Sequence, residues 1–96
     1  MDMGTFLTAS KFSAELTSVV TDKLKTAPDE YIDVRIFLEQ NAILEKVTAE
    51  LDSKGLKIRN VIEGPDVLVT GSIAVENLYK INTVAEVDRI EHDHIL

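Results

Sequence analysis

Apolar positions change period along this chain, and each change marks a new element. Phe12, Leu16, Val19, Val20 and Leu24 recur at helical spacing and form one stripe, so a helix is expected up to about Ala27. Pro28 ends it, because proline disfavours helical geometry at the preceding residue and has no backbone donor. Asp29-Glu30 is a short solvated connector. From Tyr31 the period becomes two: Ile32, Val34, Ile36 and Leu38 alternate with Tyr31, Asp33, Arg35 and Phe37. That is a strand with one core face and one mixed face.

Gln40-Asn41 interrupts the strand. Asn41 is a candidate cap for a helix whose apolar stripe is Leu44, Val47 and Leu51 and which stops before Gly55. Residues 56–62 and 67–73 are strand-like runs separated by Glu63-Gly64-Pro65-Asp66, a cluster of turn formers, and so predict an antiparallel hairpin. Ser72 or its neighbour is expected to cap a second helix over residues 74–84, with Val75, Leu78 and Tyr79 on one side. Residues 87–92 complete the series as a last strand.

The order is a helix followed by β-α-β-β-α-β. That series predicts an α+β domain of ferredoxin-like arrangement, an antiparallel sheet with two helices on one face, preceded by an extra N-terminal helix. The division is residues 1–30 as helical extension and 31–96 as the main domain. Tyr31, Asp33, Arg35 and Phe37 fall on the sheet face away from those two helices. They are candidates for contact with solvent, a partner or the extra helix.

Composition narrows the function. Ninety-six residues close one core and exclude a two-domain enzyme. The formal charge of −7, from 10 basic and 17 acidic residues, argues against a nucleic-acid partner, which needs clustered cations. Without cysteine there is no disulfide, thiolate metal site or cysteine nucleophile. No stretch approaches the roughly 20 apolar residues that span a bilayer, so no membrane role is expected. Met1-Asp2-Met3-Gly4 is acidic and unlike a secretory signal. With Met1 as the native start the protein is expected to be cytoplasmic; for a fragment of a secreted precursor the compartment is open.

Candidate chemistry is sparse. No glycine stands in a phosphate-cradling motif, and no nucleophile-base pair is visible, so catalysis is not expected and no cofactor is called for. His92 and His94 are two apart and would point the same way on an extended strand, but no third ligand stands at metal-site spacing. Exposed histidines are the reading preferred over a metal site.

From Tyr31 onward the chain resembles the propeptide domain of subtilisin-like serine proteases, the inhibitor I9 type, which also occurs as free-standing inhibitors. Tyr31-Ile32-Asp33-Val34-Arg35-Ile36 is similar to that family's tyrosine-led first strand. The helix ending at Leu51 to Gly55 before the next strand follows its second step. Val87-Asp88-Arg89-Ile90-Glu91-His92-Asp93-His94 is similar to its closing strand, in which two aliphatics three apart precede an acid, any residue, Asp and often His.

The resemblance implies a protein-binding role, as inhibitor or folding assistant of a subtilisin-like serine protease. In the family the outer sheet face packs on two parallel surface helices of the protease, and two acids of the closing motif cap their N-termini. Glu91 and Asp93 occupy the matching positions. The tail His94-Ile95-Leu96 would then run extended into the active-site cleft. Free in solution such a domain is expected to be a monomer or weak homodimer. The alternatives are a ferredoxin-like regulatory domain that binds a small metabolite, or a structural dimerisation module.

Overall fold

The computed structural model describes residues 11–93. Helix α1 (Ala14–Thr26) is followed by strand β1 (Tyr31–Leu38), helix α2 (Leu44–Ser53), strands β2 (Lys57–Ile62) and β3 (Leu68–Ala74), a 3-10 turn (Val75–Asn77), helix α3 (Leu78–Asn82) and strand β4 (Val87–His92). The strands form one antiparallel sheet in the order β2-β3-β1-β4. Two crossovers, each carrying a helix, produce that order, which is the ferredoxin-like arrangement.

The two-residue alternation of β1 is what divides the sheet into two faces. Ile32, Val34, Ile36 and Leu38 are buried, while Asp33, Arg35 and Phe37 are half-buried and Tyr31 is exposed. Cross-strand register carries the pattern outward: Ile36 stands opposite Val69 and Ile90, and Ile32 opposite Ile73. Val47 and Leu51 of α2, and Leu78 and Ile81 of α3, close over this face.

α1 joins the same core. Leu16 and Val20 are buried in one cluster with the β1 residues, so among the described residues three helices, rather than two, lie on one side of the sheet and none lies on the other. Its N-cap is Ser13, whose Oγ accepts from the Leu16 N–H at 3.2 Å. Phe12 precedes the helix and packs against the core from an extended segment. Ser13 N donates to the Ile90 carbonyl and Ile90 N to the Lys11 carbonyl, so residues 11–13 line the free edge of β4 in parallel. Leu24, expected on the buried stripe, is 49% exposed, because it lies in the last turn beyond the reach of the core.

Two helix starts differ from the sequence expectation. Asn41 is not a cap: Ala42 N donates to the Glu39 carbonyl in a turn, and α2 begins only after Ile43, which makes no side-chain cap bond. Ser72 is not a cap either, since β3 continues to Ala74, the register partner of Tyr31. The N–H groups of Val75 and Glu76 bond the carbonyls of Glu30 and Pro28, which ties the start of the segment to the connector after α1. The segment over 74–84 is therefore a 3-10 turn and a five-residue helix in place of one long helix. Beyond Ala74 at the end of β3, its buried residues are Val75, Leu78, Ile81 and Val84, spaced by three as tight turns require, and Tyr79 is left 64% exposed. Gly55 stops α2 as expected, at φ 103°, where a side chain would be strained.

Candidate functional site

The sheet face without helices gathers most of the residues singled out in the sequence. Tyr31, Asp33, Arg35 and Phe37 lie on it along β1, as the alternation requires. Glu91 on β4 is the register partner of Arg35 and so shares the face. Asp93 follows two residues later, and its N–H donates to the Asp33 carbonyl at 2.9 Å, which continues the β4–β1 ladder by one more bond. Glu91 and Asp93 thus stand side by side at the end of β4. His94, Ile95 and Leu96 lie outside the described residues.

Both acids are engaged by arginines. Glu91 Oε1 accepts from Arg35 Nη2 at 3.0 Å, and Glu91 Oε2 pairs with Arg89 Nε at 3.0 Å. Arg59 Nη1 is 3.2 Å from Asp33 Oδ1 and its Nη2 is 3.5 Å from Asp93 Oδ2. Arg59 therefore reaches from β2 across β3 to β1, and small Thr70 and Ser72 leave it room on β3. The side chains of Glu91 and Asp93 are only 26% and 21% exposed. Neither is a bare carboxylate projecting into water.

The aromatics are also covered by cations. Arg89 stacks over the Phe37 ring at 4.3 Å from its centroid, and the Lys57 ammonium sits 4.7 Å from that of Tyr31. Such pairs are worth about 0.5–1 kcal/mol when exposed. All three arginines of the chain lie on this one face. Among the side chains joined there, four cations meet three carboxylates, so the face is slightly positive although the chain carries −7. The acidity of the protein is thus concentrated elsewhere.

Of these four cations, the strand alternation places only Arg35 on this face in advance, and Arg59, Arg89 and Lys57 join it in the fold. Arg89 was legible in principle, since it precedes Glu91 by two in a strand and must share its face. Arg59 was not, because a bulge between Ile58 and Asn60 makes it the extra residue of β2, and its partners come from β1 and the end of β4.

His92 points to the other side, as the register partner of Val34, and its Nδ1 lies 3.6 Å from Glu15 Oε1 on α1. An open depression beside it is lined by Ser13, Glu15, Arg35, Glu91 and His92. Among the described residues, no group of three or more His, Asp or Glu side chains is placed to hold a metal ion. No described helix is long and apolar enough to cross a membrane. No family model, curated protein or solved structure matches the chain.

Proposed function

We propose that this protein is a proteinaceous inhibitor or folding assistant of a subtilisin-like serine protease, docking through the helix-free face of its sheet. The observation that carries the reading is the placement of Glu91 and Asp93. They sit together on that face, at the end of the last strand and immediately before the C-terminal tail. The I9-type resemblance calls for two acids in that position. An α-helix N-terminus presents unpaired N–H groups and partial positive charge, so each capping carboxylate is worth about 0.3–2 kcal/mol there. Arginine contacts do not prevent this, because a carboxylate offers about four acceptor sites and each arginine takes one.

His94-Ile95-Leu96 follow Asp93 in the sequence and, by the same resemblance, are the segment that would enter the cleft as an added strand. Inhibition of a panel of subtilisin-like proteases, with chymotrypsin as a control of unrelated fold, tests the reading. The intact chain should inhibit at micromolar concentration or below, trimming Ile95 and Leu96 should weaken it, and Glu91→Ala or Asp93→Ala should each do so as well. No inhibition anywhere in the panel refutes the inhibitor role.

A further inference from the structure

The geometry points to Arg35 and Arg59 as positioning residues that hold Glu91 and Asp93 in their docking orientation before any partner arrives. The inference rests on the docking reading above and concerns how the same face is prepared. A carboxylate on a flexible side chain must be immobilised on binding, at about 0.5–1.5 kcal/mol for each rotamer-rich side chain. Here the immobilisation is already done by the fold. Arg35 projects from the central strand β1 directly beside Glu91 in register, so its contact at 3.0 Å runs between two side chains whose backbones are locked by the β1–β4 ladder. Arg89 holds the second oxygen from the same strand as Glu91. Arg59 ties Asp93, which lies just past the end of β4, to Asp33 in the middle of the sheet.

The two arginine contacts have a feature that packing alone does not require. Each acid keeps part of its surface open, 26% for Glu91 and 21% for Asp93, while the guanidinium that holds it is the more exposed partner. Exposed ion pairs of this kind add little to stability, about 0–1 kcal/mol each. Their effect is expected in binding. Arg35 and Arg59 touch the acids rather than the partner's helix N-termini, and they act through the orientation of Glu91 and Asp93.

The test is a pair of double-mutant cycles read as inhibition of the panel protease that the wild-type chain inhibits most strongly. Arg35→Met should weaken inhibition about three- to thirtyfold in the wild-type background and leave it nearly unchanged in Glu91→Gln, because contacting residues couple and independent ones add. Arg59→Met with Asp93→Asn is the second, separate cycle, informative even if an Arg35 variant folds poorly. Thermal unfolding of each variant accompanies the measurement and should shift by no more than a few degrees. Additive effects in both cycles, or arginine variants that inhibit like wild type, overturn the positioning role and leave the docking reading standing. A wild-type chain that inhibits no protease in the panel overturns both.

Discussion

A Cβ on Gly71 would fall far inside van der Waals contact with the carbonyl oxygen of Lys57. Strands β3 and β2 approach this closely at the step before the bulge that inserts Arg59. The glycine that interrupts an otherwise β-branched and apolar run is thus the residue that lets β2 seat against β3 where the helix-free face is assembled.

Gly71→Ala should accordingly lower stability by about 1–3 kcal/mol, as overpacking does in a filled site. The atom it meets is backbone, which cannot swing away as a side-chain end does. Urea unfolding measures the loss. A variant as stable as wild type would show that β2 can shift outward freely.

Leu16 is fully buried against the strands although it lies in the segment before the main domain. Leu16→Ala should cost about 2–5 kcal/mol, the range for a buried leucine. Removal of residues 1–27 should expose the core side of β4 and of the 3-10 turn, which α1 packs against, and abolish cooperative thermal unfolding. A truncated chain that melts as sharply as the intact one would mean that the sheet and two helices suffice.

Leu24 and Tyr79 belong to helical stripes in the sequence but are exposed in the structure. Leu24→Ser and Tyr79→Ser should each change stability by no more than about 0.5 kcal/mol, as surface substitutions do. Ile81→Ser, two residues from Tyr79 and fully buried, serves as the contrasting variant and should be severely destabilising. Chemical denaturation separates the three cleanly.

Tyr31 is 48% exposed on the proposed docking face, with Lys57 over its ring. Tyr31→Ser should leave the melting temperature within a few degrees of wild type and weaken protease inhibition by at least about fivefold, a 1 kcal/mol effect typical of a contributing interface residue. Equal inhibition by the two proteins would place the contact surface away from this end of β1.

Much of the architecture was legible because it follows from period. The two-residue alternation over β1 determined which of its side chains face the core, and the strand order of elements determined a ferredoxin-like sheet. Residues 87–92 needed no correction as a strand. The segment over 74–84 was legible only in part: its apolar residues recur every three positions, a tight-turn signature that a helical stripe through Tyr79 obscured.

Other features depend on contacts that local sequence does not encode. α1 has an apolar stripe, but only the closed fold decides that Leu16 and Val20 extend the existing core, so that no described helix covers the opposite sheet face. Asn41 and Ser72 carry the chemistry of helix caps, yet a turn at Glu39 and the pairing of Ala74 with Tyr31 take those positions for other uses. Glu91 and Asp93 stand out in the sequence only through the resemblance of the last strand to the I9-type closing motif. That each is held by an arginine from a distant part of the chain was decided by strand order, which brings β1 beside β4 and lets Arg59 reach across β3. Sequence determined the faces and their residues, because side-chain period is local; the fold alone determined which charges meet, because those pairs are joined across the sheet.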